Sequence, residues 1–141
     1  MGIVSGVLYR SLCLRRLLMI IISVDPGNQT GFVIFDTENA SLCRFTLPLV
    51  EAYEFIGNII YDVMLIETMP LKDFGSDETL RSYYFYYIEK PNTRKISPGN
   101  WKPLAKAQEW DNKGNTPHEK DAYNMLRFWY LVTYRIDLGE R

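Results

Sequence analysis

The chain has 141 residues, 47% of them hydrophobic, and a net charge of −1. This length is enough for one domain with a single core. The near-neutral charge counts against a DNA-binding protein with a basic surface overall, although a local basic patch stays compatible with it. One histidine and two widely separated cysteines, Cys13 and Cys43, argue against a structural zinc site. Nothing in the composition demands disulfides, so a reducing, cytoplasmic compartment is expected.

The first 18 residues form an apolar segment interrupted by three arginines. The end of this segment imitates a signal-peptide core, but basic residues lie inside it and no small-residue cleavage site follows. Fewer than about 18 uninterrupted apolar residues are present, which excludes a transmembrane span. We interpret residues 1–18 as an extension that is poorly ordered or leads into the first strand, and residues 19–141 as one domain. Met19 is an alternative start.

An apolar run over residues 19–24 ends on Asp25, and a Pro-Gly turn then leads to a second apolar run opened by Thr30 and Gly31. This pattern predicts two antiparallel strands with a short connection, the first buried on both faces. A carboxylate at the end of a buried strand is costly unless a cation or an N–H-rich turn compensates its charge. Asp-Pro-Gly is also good turn chemistry, so this stretch alone supports a turn-capping role equally well.

Three further segments extend this pattern. Residues 41–47 form a predicted third strand, and residues 49–61 have apolar side chains at helical spacing. Residues 62–67 are a short apolar run that ends on Glu67. Because this run follows a helix, we expect a strand parallel to the first. An α/β fold is therefore predicted, with the carboxylates of Asp25 and Glu67 at the same edge of the sheet.

A second helix is predicted over residues 78–90, and it carries a run of five aromatic residues. Those residues are Tyr83, Tyr84, Phe85, Tyr86 and Tyr87. Such a run places bulky side chains on nearly every side of the helix, which a one-sided core face does not require. Tyr and Phe are enriched at protein interfaces, so we interpret the run as a protein interface. The alternative is core packing with the hydroxyls reaching water.

Residues 94–98 form a predicted short strand within a locally basic stretch, 90–120, which has seven basic and three acidic residues. Trp101 and Trp110 are interleaved with the basic residues. This combination suits a phosphate backbone and stacked bases, and the alternative is a solvated loop anchored by two tryptophans. The candidate nucleic-acid-binding residues are Lys90, Arg94, Lys95, Trp101, Lys102, Lys106, Lys113 and Lys120.

The last helix is predicted to begin at Thr116-Pro117 and to run to about residue 134. His118, the only histidine, and Asp121 are three residues apart and therefore share one face of it. Alone, this histidine would be a capping or surface residue. Carboxylates held close together repel one another unless they share a proton or a cation. With Asp25, Glu67 and Asp121 predicted to meet, we interpret the four residues as a site for Mg²⁺.

Three motifs follow one another along the chain: Ile-Ser-Val-Asp25-Pro-Gly-Asn-Gln-Thr-Gly, Leu-Ile-Glu67 and His118-Glu-Lys-Asp121-Ala. This ordered set resembles the RuvC family of Holliday-junction resolvases, which belongs to the ribonuclease H-like superfamily. The resemblance covers residues 20–134. It implies a ribonuclease H-like α/β fold with a mixed five-stranded sheet, in which the first three strands are antiparallel and the rest parallel.

The resemblance also implies an activity, the metal-dependent hydrolysis of phosphodiesters in four-way DNA junctions. The implied catalytic and metal-binding residues are Asp25, Glu67, His118 and Asp121. The implied cofactor is Mg²⁺ or Mn²⁺, with two ions per active site, and His118 would be a ligand or a proton carrier. Members of the family act as homodimers, and the aromatic helix is the expected interface. Neither a membrane nor a nucleotide cofactor is expected as a partner.

The chain departs from the family after the second acid. Family members commonly have an aromatic residue there that handles the junction, whereas residues 68–71 are Thr-Met-Pro-Leu and the nearest aromatic is Phe74. Three alternatives therefore stand. They are a nuclease of the same fold acting on other branched DNA or RNA–DNA hybrids, a non-catalytic nucleic-acid-binding domain, and a sugar-kinase or actin-like ATP-binding half. The last needs a second phosphate loop and an adenosine motif, and the sequence has neither.

Overall fold

The computed structural model describes residues 18–69, 78–110 and 116–140. Its strands are β1 (Ile20–Asp25), β2 (Gln29–Asp36), β3 (Ser41–Pro48), β4 (Val63–Glu67) and β5 (Thr93–Ile96). Its helices are α1 (Leu49–Asn58), α2 (Glu78–Ile88), α3 (Pro98–Ala107) and α4 (Pro117–Tyr134), followed by a 3-10 turn at Leu138–Glu140. Almost all of the predicted extension, together with Phe74 and Lys113, lies outside the described residues.

All five strands form one mixed sheet in the order β3-β2-β1-β4-β5. β1 pairs with β2, and β2 with β3, in antiparallel ladders, whereas β4 is parallel to both β1 and β5. This confirms the predicted α/β class with a mixed five-stranded sheet. No helix in the described parts of the chain combines the length and the apolar character that crossing a membrane requires.

The register between β1 and β4 decides which side chains share a face. Ser23 lies opposite Leu65 in this register. Side chains alternate between the two faces along a strand, so Asp25 and Glu67, each two residues further along, lie on the same face as Ser23 and Leu65. Helix α4 covers this face, and the Ser23 hydroxyl donates a hydrogen bond to the carbonyl oxygen of Ala122 at 2.7 Å. The two carboxylates therefore lie at the carboxyl ends of adjacent parallel strands, beneath α4.

Helices cover the sheet on both faces. The core between the sheet and α3 and α4 includes Ile21, Val33, Leu65, Trp101 and Leu126. The core between the sheet and α1 and α2 includes Phe32, Ile56, Met64, Tyr84 and Tyr87. The central strands β1 and β4 contribute to both cores, which explains why each reads as a continuous apolar run and not as an alternating one.

The aromatic run of α2 is divided between core and surface. Tyr84 and Tyr87 are only 4% and 0% exposed, whereas Phe85 and Tyr86 are 40% and 38% exposed. The ring of Tyr83 stacks on a tyrosine of α1 at a centroid distance of 4.6 Å. Core packing therefore accounts for Tyr84 and Tyr87, which have almost no surface to offer a partner. The dimer interface stays a prediction that only the exposed members of the run can serve.

Helix α3 is the element that the sequence analysis missed. Ser97 caps it, because its hydroxyl accepts a hydrogen bond from the Gly99 N–H at 3.3 Å. Pro98 occupies the first position, where no N–H is required. Gly99 and Pro103 are poor residues for a helix interior. The local sequence therefore does not predict this helix.

The end of α3 has a Schellman geometry. The N–H of Trp110 donates to the Ala105 carbonyl at 2.9 Å, and the N–H of Glu109 donates to the Lys106 carbonyl at 3.2 Å. Glu109 adopts the left-handed conformation that this motif requires, with φ of 51°. The chain therefore turns back on itself, and Trp110 packs beside the helix that precedes it.

Candidate metal centre

Three carboxylates that are distant in sequence meet at one edge of the sheet. Asp25 ends β1, Glu67 ends β4, and Asp121 lies in the first turns of α4. One oxygen of each lies within 4.8 Å of the other two, and all three residues are partly buried. The structure thus brings together the three acids that the sequence analysis selected.

His118 adjoins this group through Asp25. Its Nδ1 lies 3.1 Å from Oδ2 of Asp25, and its side chain is 42% exposed, against 13% for Asp25. Among the described residues, the set of mutually close ligand atoms consists of carboxylate oxygens alone. This contact suits a residue that orients a metal ligand, and the role of His118 as a ligand or a proton carrier stays a prediction.

The electrostatics of the site favour a shared positive charge. The pKa of Asp25 is raised to about 6, mainly by burial and to a smaller extent by the nearby Asp121, against the opposite effects of the His118 hydrogen bond and of Lys102. Burial also raises the pKa of Asp121. Carboxylates in this condition gain from a bound proton or cation. A divalent cation supplies such a charge at neutral pH.

Lys102 is a member of the site that the sequence analysis assigned only to nucleic-acid binding. Its Nζ lies 3.9 Å from Oε1 of Glu67, and its side chain is 50% exposed. Its charge also lowers the pKa values of Asp25 and Asp121. The place of Lys102 beside Glu67 could not be predicted from local sequence, because it depends on α3 beginning directly after β5, beside the carboxyl end of β4.

The first turn of α4 is held in place by polar contacts. The hydroxyl of Thr116 accepts a hydrogen bond from the Glu119 N–H at 3.1 Å, and the Glu119 carboxylate accepts one from the Thr46 hydroxyl of β3 at 2.6 Å. Glu119 is only 4% exposed. With the bond from Ser23 to Ala122, these contacts fix α4 to β3 and β1. The Thr-x-x-Glu spacing of a capping box was the available sequence signal for this anchor.

The predicted nucleic-acid-binding residues are spread over the molecule. Arg94 and Lys95 are exposed on β5, an edge strand of the sheet. Lys90 lies over the ring of Tyr86, 4.9 Å from its centroid. Lys120 is partly buried on α4. These residues lie on β5, just after α2 and on α4, and their role in nucleic-acid binding stays a prediction.

The residues of α3 lie closer to the site. Lys102 and Lys106 line a groove of about 350 Å³ between α3 and α4, and Asp121 forms part of its wall. Trp101 and Trp110 also line it, but they are only 1% and 8% exposed. This burial disfavours base stacking on either ring, and the role of these tryptophans in nucleic-acid binding stays a prediction.

Comparisons with protein-family models, with curated proteins and with solved structures return no match for this chain. The chemistry of the residues themselves then carries the functional argument. A set of three carboxylate oxygens suits hard cations such as Mg²⁺ and Mn²⁺. The donors present therefore fit the cofactor that the sequence analysis expected.

Proposed function

We propose that this chain is a metal-dependent endonuclease with a ribonuclease H-like fold that hydrolyses phosphodiesters in branched DNA, in particular four-way junctions. The observation that carries the proposal is the meeting of Asp25, Glu67 and Asp121 oxygens within 4.8 Å. The strand order β3-β2-β1-β4-β5 supports it, because the first acid then lies on the central strand and the second on its parallel neighbour. Sites at the carboxyl ends of such strands are common in α/β sheets.

In this proposal Asp25, Glu67 and Asp121 would hold the Mg²⁺ or Mn²⁺ ions, and the bound metal would supply activation of water and stabilisation of negative charge on the leaving oxygen. The water oxygen forms a bond to phosphorus and gives up a proton, the bond from phosphorus to the 3′ oxygen breaks, and that oxygen takes up a proton. The products are a 3′ hydroxyl and a 5′ phosphate. The protein's task is to hold the scissile phosphate in line with the attacking water.

Two further residues act on this geometry. His118 keeps the Asp25 carboxylate in one orientation through the 3.1 Å contact. Lys102, 3.9 Å from Glu67, has an exposed ammonium group that can exchange its carboxylate partner for a phosphate oxygen. Such a cation stabilises the charge that develops on phosphate during transfer.

A two-fold symmetric junction suits a two-fold symmetric protein. We therefore extend the proposal to a homodimer whose interface uses the exposed aromatic residues of α2, Phe85 and Tyr86. Their exposure supports this choice. Sedimentation of the wild type and of a Phe85→Ser, Tyr86→Ser double variant tests it, and an unchanged dimer would exclude α2 as the interface.

The test of the function is cleavage of a labelled four-way junction in Mg²⁺, Mn²⁺ or EDTA. We expect cleavage with either metal, none in EDTA, and none by Asp121→Asn. Glu54→Gln, which makes the same carboxylate-to-amide change at an exposed position of α1, serves as the control and is expected to cut normally. Cleavage by Asp121→Asn at the wild-type rate would refute the site.

Substrate choice is tested in the same assay with a flap and an RNA–DNA hybrid of equal length. Junction cleavage that is faster than either supports the proposal as stated. If the hybrid is cut faster than the junction, the chain is a nuclease of the alternative class.

A further inference from the structure

We infer that the groove between α3 and α4 holds one unpaired nucleotide of the DNA substrate, adjacent to the phosphate that is cut. The inference rests on the proposed nuclease function and deepens it, since it assigns a subsite and a substrate feature that this subsite requires. It concerns residues outside the carboxylate cluster. Four features of the groove carry it: its size, its position, its charge and its preformed wall.

The size of the groove fits one nucleotide. Its volume is about 350 Å³, which lies near the lower end of the range for pockets that hold small ligands. Trp101, Ala105 and Trp110 give the groove an apolar lining that suits a sugar and a base.

The position of the groove links it to the candidate metal centre. Asp121 belongs both to the groove wall and to the carboxylate cluster. Lys102 also lines the groove, and its Nζ is 3.9 Å from Oε1 of Glu67. A strand whose phosphate lies at the carboxylates therefore has its neighbouring nucleotide at the mouth of this groove.

The lysines of the groove lie where they can meet a nucleic-acid strand. Lys102 and Lys106 are four residues apart and so lie on one face of α3, and both are exposed. Two cations in a row along the helix match successive backbone phosphates. Glu109 and Asp121 also line the groove, so its formal charges balance when no metal is bound, and the Glu109 carboxylate opposes phosphate binding.

The wall of the groove is formed before any ligand binds. The Trp110 N–H donates to the Ala105 carbonyl at 2.9 Å, and the guanidinium of Arg127 lies over the Trp110 ring, 4.4 Å from its centroid. Arg127 in turn pairs with Asp137 at 2.6 Å. Because Trp110 is held on two sides, its ring acts as a fixed wall and not as a mobile platform for stacking.

These features give a physical reason for a preference for branched DNA. Taking a nucleotide out of a duplex costs a few kcal/mol, and the cost is lowest where the nucleotide is already unpaired. Single-stranded branches supply nucleotides of that kind, and a four-way junction supplies them where base pairs at its centre are open. A groove that admits one nucleotide next to the scissile phosphate therefore favours cleavage at branches over cleavage of linear duplex.

The decisive variant is Ala105→Phe, which fills the groove and leaves the carboxylates and lysines in place. The control is Ala107→Phe on the same helix, at an exposed position that does not line the groove. We measure cleavage of a junction with unpaired nucleotides at the branch in Mg²⁺, and binding of the same junction by fluorescence anisotropy in Ca²⁺. Ala105→Phe is expected to lose about tenfold in both, as removal of one nucleotide's contacts predicts, whereas Ala107→Phe is expected to match the wild type.

Two exposed charge variants test the groove without disturbing the core. Lys106→Gln removes one phosphate contact, so the negative slope of log K against log salt should become less steep by about 0.7. Glu109→Gln removes the opposing carboxylate and should tighten junction binding. An unchanged salt slope in Lys106→Gln together with unchanged affinity in Glu109→Gln would overturn the inference, even if Ala105→Phe failed to fold.

The outcomes separate the two proposals. If the wild type cuts branched DNA and Ala105→Phe, shown to be folded by thermal unfolding, cuts it equally fast, the nuclease function stands and the groove inference is wrong. If the wild type cuts none of the substrates with either metal, the function fails, and the inference that rests on it fails too. A selective loss in Ala105→Phe, with Ala107→Phe unaffected, supports both.

Discussion

Gly31 of β2 lies directly against the backbone of His118. A β-carbon at Gly31 would be 2.6 Å from the β-carbon of His118 and would overlap the His118 carbonyl group. Gly31 is also the residue opposite Asp25 in the ladder between β1 and β2. The absence of a side chain at Gly31 therefore lets α4 approach the sheet closely enough for His118 to reach Asp25.

This relationship predicts that Gly31→Ala damages both fold and site. Overpacking of this kind destabilises by about 1–3 kcal/mol, and the displacement of α4 should also weaken Mn²⁺ binding measured by calorimetry. The matched control is Gly57→Ala in α1, where a β-carbon would lie 3.9 Å from the Tyr86 hydroxyl, an ordinary contact. Alanine in that helix should raise stability by about 0.5–1 kcal/mol. A Gly31→Ala protein with normal stability and normal Mn²⁺ affinity would contradict the role assigned to Gly31.

Asp25→Asn should stabilise the metal-free protein at neutral pH. Because the pKa of Asp25 rises from 3.8 to about 6 on folding, the protonated carboxyl favours the folded state below pH 3.8, and this contribution is lost as the pH rises through 6. Above that pH the buried ionised group opposes folding, and the amide removes this cost. In EDTA at pH 8 the variant should therefore melt at a higher temperature than the wild type.

With bound metal, the wild type should melt at a higher temperature than Asp25→Asn. Mg²⁺ or Mn²⁺ is expected to bind the folded wild type and to raise its melting temperature, whereas Asp25→Asn should respond weakly to either ion. Thermal unfolding at pH 4, 6 and 8, with EDTA and with metal, measures both effects. A variant that is less stable than the wild type in EDTA at pH 8 would show that the Asp25 carboxylate is not held under repulsion.

Thr116→Ala should destabilise the protein by about 1 kcal/mol, the usual effect of removing an N-cap hydroxyl. The Glu119 carboxylate accepts from Thr46 at 2.6 Å and from Thr116 at 3.3 Å through the same oxygen. Thr46→Val and Thr116→Ala should therefore be non-additive in a double-mutant cycle of urea unfolding. Thr133→Ala, at an exposed position near the end of α4, is the control and should change stability by less than about 0.5 kcal/mol. Strict additivity would mean that the two hydroxyls do not share one carboxylate.

Asp137→Asn should destabilise the protein at pH 7 and have little effect in strong acid. The Asp137 carboxylate accepts hydrogen bonds from Nε and Nη2 of Arg127 at 2.6 and 3.0 Å, and this pairing lowers the pKa of Asp137 below its ordinary value of 3.8. A lowered pKa contributes stability above pH 3.8 that is lost as the pH falls through the pKa of the folded state. Unfolding in urea at pH 7, 5, 3 and 2 should therefore show a difference that shrinks only at the lowest pH. A difference that persists unchanged at pH 2 would assign the effect to packing.

The strands that carry Asp25 and Glu67 were predictable because each is a short apolar run that ends on a carboxylate. Their parallel pairing followed from the intervening helix. The spacing of His118 and Asp121 on one helix face was equally local information. The part of the site that depends on strand ends and helix periodicity is therefore present in the sequence.

The remaining parts of the site depend on tertiary contacts. Gly31 resembles any turn-proximal glycine until α4 is placed on it. Lys102 approaches Glu67 only because α3 exists, and that helix depends on its caps and on the burial of Trp101 more than on propensity. The burial of Trp101 was not predictable either, because composition identifies an aromatic residue and gives no information on the residues that cover it.

The positions of Asp25, Glu67 and Asp121 in the chain also set the order in which the cluster is assembled during synthesis. The strands that carry Asp25 and Glu67 leave the ribosome well before α4, which carries Asp121 and His118. Until α4 docks through Ser23 and Thr46, a nascent chain has two of the three carboxylates and lacks the histidine that orients the first. The three-carboxylate cluster therefore cannot form before α4 has been synthesised and has docked on the sheet.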